Sequence, residues 1–305
     1  MDTFLNHKAI ADLVDILDTI DDDRTVIVAP SYGNSKKETR PSKLRVYSYG
    51  GHVLDLSTTK ANNDLFPDKG YDQYFEGLKM GSFPYKELNK ETLWSMIEAA
   101  RRRAAGESTD DSKKAKEYKE RSAETRLIKR NRESGYGNGI VIDMEFCAPK
   151  EWVEPIATYK GKSTTGKPDL VIYDKETKSF GIVELKLNND STDNMDKHFT
   201  DFYNMIHSKD VMKIKEEFCR RMRYLMEYGL IEEIDATDLE TARNNPIWNA
   251  FLFICGDAAE SRRIFDEAPI DTRFINRKEV GYQYIPALET NIDYSKNKFF
   301  QYLNG

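Results

Sequence analysis

The stretch Pro168-Asp169-Leu170-Val171-Ile172-Tyr173, followed after a polar turn by Gly181-Ile182-Val183-Glu184-Leu185-Lys186-Leu187, decides how this chain is read. Both runs have the apolar, β-branched composition of buried strands, and Asp174 to Ser179 between them is turn-forming, so the pair predicts an antiparallel hairpin. An ionised side chain inside an apolar strand is costly unless something compensates it. That context separates Asp169, Glu184 and Lys186 from look-alikes in polar loops or charged helix, such as Pro67-Asp68, Glu117-Tyr118-Lys119 and Glu176-Thr177-Lys178.

Strand alternation puts Glu184 and Lys186 on one face, about 6.6 Å apart along the strand, with Val183, Leu185 and Leu187 on the other. A hairpin centred on Thr177 would pair Asp169 with Leu185 and turn its carboxylate to the wrong face. A shared site therefore requires an offset of one residue, pairing Asp169 with Glu184 or Lys186. Two carboxylates held close repel each other, and a hard divalent cation between them reverses that penalty. Magnesium accepts one or two carboxylates and fills its octahedron with water and phosphate oxygens. Lys186 beside it can orient or deprotonate a water, or stabilise charge developing on phosphate, which suits hydrolysis of a phosphodiester.

Working outward, a charged helix is expected over about Lys113 to Arg132, broken by Gly135, Gly137 and Gly139. A strand follows over Ile140 to Phe146, then the hairpin. Two amphipathic helices come next, about Asp193 to Ser208 and Asp210 to Tyr228, the second with Met212, Cys219, Met222 and Met226 near one stripe. Ile247 to Cys255 reads as a buried strand. Asp143 and Glu145 would share a face of the first of these strands with Val141, in a solvated or capping role.

Pro168-Asp169, a gap of 14 residues, and Glu184-Leu185-Lys186, set in the order helix, three strands, helices, strand, resemble the PD-(D/E)XK nuclease superfamily over roughly Lys113 to Asp257. The resemblance implies an α/β fold, a mixed central β-sheet flanked by helices. It also implies cation-dependent cleavage of nucleic acid, most often DNA, with Mg²⁺ as cofactor and Mn²⁺ as substitute. Asp169 and Glu184 would be metal ligands, the carbonyl of Leu185 a further one, and Lys186 the catalytic lysine. Family members often add a glutamate from the preceding helix, for which Glu124 is the best match, with Glu120 and Glu133 as rivals. Where many carry a glutamine after the lysine strand, this chain has His198, with Phe202 next along the same face. His198 and Glu145 stand as supporting candidates. By the same analogy, the chain would be a DNA endonuclease serving a prokaryotic antiviral defence or restriction system, as a homo-oligomer or with a partner subunit. An RNase or structure-specific repair nuclease uses the same hairpin chemistry, and an inactive nucleic-acid-binding or assembly module keeps the fold without the hydrolysis.

The 305 residues fit one large domain or two ordinary ones. The polar segment Ala104 to Lys116 suggests a boundary near Thr109, dividing a smaller N-terminal α+β domain, 1–108, from the nuclease-like domain, 109–305. In the first part, Ile10, Leu13, Ile16 and Leu17 recur at helical spacing, and Val26 to Ala29 reads as a strand. Arg45 to Tyr49 and His52 to Leu56 flank Gly50-Gly51 as a hairpin would, and a helix from Glu91 to Arg103 has Asn89 to cap it. The loop Ser31 to Lys37 lacks the second glycine before its lysine and the hydroxyl residue after it that a phosphate loop needs.

Cys147, Cys219 and Cys255 are too few and too scattered for a disulfide framework or zinc site, which fits a reducing cytoplasm. No apolar run approaches the roughly 20 residues of a membrane span. With 46 Lys or Arg against 52 Asp or Glu, the net charge of −6 excludes a broad basic coat for nucleic acid. The balance reverses locally. From Arg101 to Glu133, twelve Lys or Arg outnumber seven Asp or Glu, and Arg126, Lys129 and Arg130 of the charged helix are the expected grip on phosphates.

Overall fold

The computed structural model describes residues 12–13, 15–16, 26–31, 43–48, 51–57, 64–67, 83–84, 87, 89–104, 123–132, 135–160, 166–187, 195–227, 229–254, 256–287 and 292–301. The chain separates into two compact units, 1–129 with 227–230, and 130–226 with 231–305. The boundary expected near Thr109 lies outside the described residues, as do Glu120, Glu133 and Cys255.

The first unit contains an antiparallel meander of five strands, β1 (Val26–Ser31), β2 (Lys43–Ser48), β3 (Gly51–Ser57), β4 (Asp64–Pro67) and β5 (Phe83–Pro84), hydrogen-bonded in chain order. The expected hairpin is β2 and β3, which close with Ser48 opposite Gly51. Helix α1 (Lys90–Ala104) begins where Asn89 caps it: the Thr92 backbone N–H donates to Asn89 Oδ1 at 2.8 Å. The α1 residues Leu93, Met96, Ile97 and Ala99 form its buried stripe. Residues 12–13 and 15–16 are helical, with Leu13 buried. Beyond Ser31, the loop to Lys37 lies outside the described residues.

In the second unit, the central sheet is mixed. Its strands are β6 (Gly139–Met144), β7 (Leu170–Asp174), β8 (Ser179–Leu187), β9 (Trp248–Ile254) and β10 (Val280–Ile285), in spatial order β10-β9-β8-β7-β6. Pairing is antiparallel from β6 to β8 and parallel from β8 to β10. Helix α2, residues 123–132, precedes β6 in the chain; its residues 123–129 belong to the first unit and 130–132 to the second. Helices α3 (Met195–Ile206), α4 (Val211–Glu227) and α5 (Ala236–Asn244) connect β8 to β9, and α6 (Ala258–Glu267) connects β9 to β10. Parallel neighbours need such crossovers, and helices on the sheet explain why β7 and β9 are buried at every residue. Phe199 and Phe202 of α3 and Phe265 of α6 meet Phe251 on one face, while Phe299 of α7 (Lys296–Phe300) meets Trp248 on the other.

Local chemistry fixes where the strands begin and end. Gly135, Tyr136 and Gly137 all adopt left-handed backbone, φ 65, 64 and 51, which reverses the chain between α2 and β6. Asn131 locks that reversal, donating from Nδ2 to the Gly139 carbonyl at 2.6 Å and accepting from the Val141 N–H at 3.0 Å. At the hairpin tip, Asn245 Nδ2 donates to the carbonyls of Thr177 and Lys178. Gly181 faces Trp248 across the β8–β9 pair, and a Cβ at Gly181 would stand 2.2 Å from the indole. Gly181→Ala is therefore expected to destabilise the second unit by about 1–3 kcal/mol through overpacking, measured as a lowered midpoint in urea.

Two details of the sequence reading change. A register shift between Val141 and Asp143 places Val141 opposite Ile172 but Asp143 opposite Val171, so the two lie on opposite faces rather than sharing one. Met212 is exposed, and the buried stripe of α4 runs through Ile214, Phe218, Met222 and Leu225. No helix among the described residues is long and apolar enough to cross a membrane.

Candidate active site

The β7–β8 register runs from Asp174 opposite Ser179 to Leu170 opposite Val183. One further step along the same register sets Asp169 against Glu184, the one-residue offset that puts both on a single face. The carboxylate of Asp169, just before β7, is pinned across the hairpin: its Oδ2 accepts the Leu185 backbone N–H at 2.7 Å. Its carbonyl accepts the Glu145 N–H at 3.0 Å, tying it to the end of β6. Glu145 itself has φ 48, so β6 ends on a left-handed, non-glycine residue.

Glu184 is 3% exposed and Lys186, at the fraying end of β8, is 11% exposed. The Lys186 ammonium donates to Glu184 Oε1 at 2.8 Å. That pair helps to compensate the buried Glu184 carboxylate. His198 of α3 brings Nε2 to 3.1 Å from the same Oε1. Burial first, then the ammonium groups of Lys186 and Lys197, lowers the His198 pKa to about 2. With its pKa that low, the imidazole is neutral at pH 7. His198 Nδ1 is buried and without a hydrogen-bond partner.

Asp169, Glu184, Lys186 and His198 therefore come together on one sheet face and the helix packed on it. Glu124 is buried in α2 beside Leu127 and Ile128, in the other compact unit. In the same helix Arg126 is exposed, whereas Lys129 and Arg130 are half-buried. Among the described residues, no three His, Cys, Asp or Glu side chains form a ready-made metal cage. Two facing carboxylates are nonetheless an oxygen donor set of the kind magnesium uses, because that ion keeps most of its waters.

Asp143 is not solvated. It is buried and pairs with Arg221 Nη1 of α4, whose Nε donates to Glu217 Oε1 at 2.9 Å. Sequence reading missed Arg221, Lys197 and Asp201. The available signal was charge inside an amphipathic stripe: Asp201 interrupts the apolar positions Phe199, Phe202 and Met205, and Arg221 sits against Phe218 and Met222. Comparison with known proteins finds no family model, curated protein or solved structure that matches the chain.

Proposed function

We propose that the second unit is a divalent-cation-dependent nuclease with a restriction-endonuclease-like core, acting on DNA. The observation that carries this reading is the convergence on one face of Asp169, Glu184 and Lys186, with Lys186 Nζ 2.8 Å from Glu184 Oε1 and Asp169 held across the hairpin by the Leu185 N–H. The resemblance of Pro168-Asp169 and Glu184-Leu185-Lys186 to the PD-(D/E)XK pattern supports it.

Asp169 and Glu184 would hold the cation, joined by the Leu185 carbonyl. When bound, Mg²⁺ supplies Lewis-acid polarisation of a phosphodiester and a water of lowered pKa. Lys186, neutralised by Glu184 in the free protein, is positioned to orient the attacking water or to balance charge growing on the phosphate. Neutral His198 steadies the Glu184 carboxylate without adding a titrating proton.

A second reading has one observation in its favour: Glu184 already has Lys186 and His198 as partners, as it would in a purely structural ion pair. Incubation of the full chain with supercoiled plasmid, single-stranded DNA and RNA, each with Mg²⁺ or Mn²⁺ and with EDTA, separates the possibilities. Cation-dependent nicking or linearisation of plasmid is the expected result. RNA cleavage alone would replace DNA by RNA as substrate. Intact substrates in every lane, with no cation-dependent rise in melting temperature, would leave the structural pair as the correct reading.

A further inference from the structure

Asp169 is held at two points, its carboxylate by the Leu185 N–H at 2.7 Å and its carbonyl by the Glu145 N–H at 3.0 Å. The segment that leads into it, Gly166-Lys167-Pro168, makes a further contact, with a helix packed on the sheet. Gly166 is buried against Asp201 of α3, and a Cβ at Gly166 would stand 2.5 Å from the Asp201 Cβ, 2.9 Å from its Cγ and 2.8 Å from its Oδ2. Gly166 does not use left-handed backbone, so a side chain is excluded here by space and not by conformation.

Neither partner yields cheaply. A contact with the tip of a long side chain is relieved by a change of rotamer, but the Asp201 Cβ is placed by the α3 backbone itself. That stretch of α3 is fixed from several sides. Asp201 is fully buried, and its Oδ2 accepts the Lys197 ammonium at 2.7 Å. Phe199 and Phe202, which flank it in the helix, pack on Phe251, and Asn204 exchanges hydrogen bonds of 2.7 and 2.9 Å with the Ala157 backbone. Carbon atoms settle at about 3.5 Å or more, so an alanine at 166 must draw its own backbone away from α3 by about 1 Å. Little between Gly166 and Asp169 absorbs that movement. Pro168 has a fixed φ, and Lys167, as the residue before proline, is confined to extended conformations.

We propose that Gly166 is a positioning residue for Asp169: its missing side chain lets the entrance to β7 seat on Asp201, and that seat sets the Asp169 carboxylate at hydrogen-bond distance from the Leu185 N–H. The consequence for catalysis rests on the reading of Asp169 as a cation ligand, whereas the placement does not. Gly166 acts through the chain that carries Asp169.

The test is hydrogen exchange of the Leu185 amide, followed by NMR on the full chain without metal or nucleic acid. Four proteins are compared: wild type, Gly166→Ala, Gly166→Ala with Asp201→Ala, and Gly166→Ala with Asp201→Gly. Losing a hydrogen bond to an ionised acceptor corresponds to about 10–100-fold, so Gly166→Ala is expected to speed Leu185 exchange by that factor while β8 amides near the hairpin tip keep wild-type rates. Asp201→Ala retains the Cβ that the new methyl strikes and should not restore protection, whereas Asp201→Gly removes it and should. Both double variants lose the Asp201 charge, so the difference between them reads the Cβ contact alone. Wild-type exchange at Leu185 in Gly166→Ala overturns the proposal, as does equal exchange in the two double variants. Should Gly166→Ala fail to fold, recovery of the fold and of Leu185 protection with Asp201→Gly, and not with Asp201→Ala, supports the same seat, and no recovery overturns it. Plasmid cleavage in Mg²⁺ by the same proteins tests the reading beneath. A misplacement of about 1 Å is expected to slow Gly166→Ala about 10²-fold. Wild type that leaves DNA and RNA intact removes the nuclease activity and leaves the Leu185 result to decide the positioning.

Discussion

Lys186→Ala is expected to slow plasmid cleavage by about 10²–10⁴-fold, the range associated with losing a positioned proton-transfer or charge-stabilising group. The geometry makes this variant informative beyond its rate. With the ammonium gone, Glu184, 3% exposed, loses the cation that donates to its Oε1, where His198 Nε2 stays at 3.1 Å. A buried carboxylate stripped of its cation is destabilising, so the metal-free variant should melt below wild type. If Asp169 and Glu184 hold a cation, that ion replaces the missing charge, and Mg²⁺ or Mn²⁺ should raise the melting temperature of Lys186→Ala more than that of wild type. A structural ion pair predicts the same initial loss with no rescue by either metal. The comparison of the two proteins with and without cation thus reads charge compensation directly, whatever the substrate proves to be. Cleavage by Lys186→Ala at the wild-type rate would remove Lys186 from the chemistry even if the rescue occurred.

How legible the site was depends on which physical signal carries each part. The hairpin was readable because two apolar strands with charges embedded in them allow few alternatives, and because a side-chain period of two ties register to face. One residue of offset separates a shared face from a split one, and composition alone did not fix it. The Asp174 side chain settles the turn by accepting from the Glu176 N–H and the Thr177 hydroxyl, an arrangement of the turn and not of the strands. The register shift at Ile142 left no mark in the alternation, so Asp143 was placed on the wrong face. Its burial depends on Arg221, 78 residues later, and no local pattern couples the two. The short helices α5 and α6 had signals of their own: Asp257 caps α6 by accepting the Glu260 N–H, and Asp235 caps α5 by accepting the Thr237 N–H. Short helices with half-polar sequences announce themselves mainly through such caps. The seat of Gly166 on α3 was least legible, because what distinguishes Asp201 is how closely another segment's backbone approaches its Cβ, a property of packing.

Arg221→Met is expected to destabilise the second unit by about 3–5 kcal/mol. Asp143, Glu217 and Arg221 are 6%, 3% and 7% exposed, so water cannot screen the two carboxylates once the guanidinium is removed. Arg221 also stacks over the Phe146 ring at 5.0 Å, and Arg220 remains 3.4 Å from Glu217, so methionine keeps the bulk and Glu217 keeps one partner. The loss should therefore fall mainly on Asp143, whose Oδ2 pairs with the guanidinium that is removed and whose Oδ1 accepts the adjacent Met144 N–H at 2.9 Å. Such a loss corresponds to a fall in melting temperature of roughly 10 °C for a unit of this size. The triple variant Asp143→Asn, Glu217→Gln, Arg221→Met removes the charges together, and it should recover most of the stability because desolvation of the three ions disappears along with their attraction. A triple variant as unstable as Arg221→Met would instead locate the loss in packing around Phe146 and Phe218. The network lies on the same sheet face as Glu184, with Asp143 reaching it across β7 through Val171 and Ile182. Cation affinity measured at a temperature where Arg221→Met stays folded tests whether the charges that hold β6 to α4 are separate from those of the hairpin: separate networks give the wild-type value.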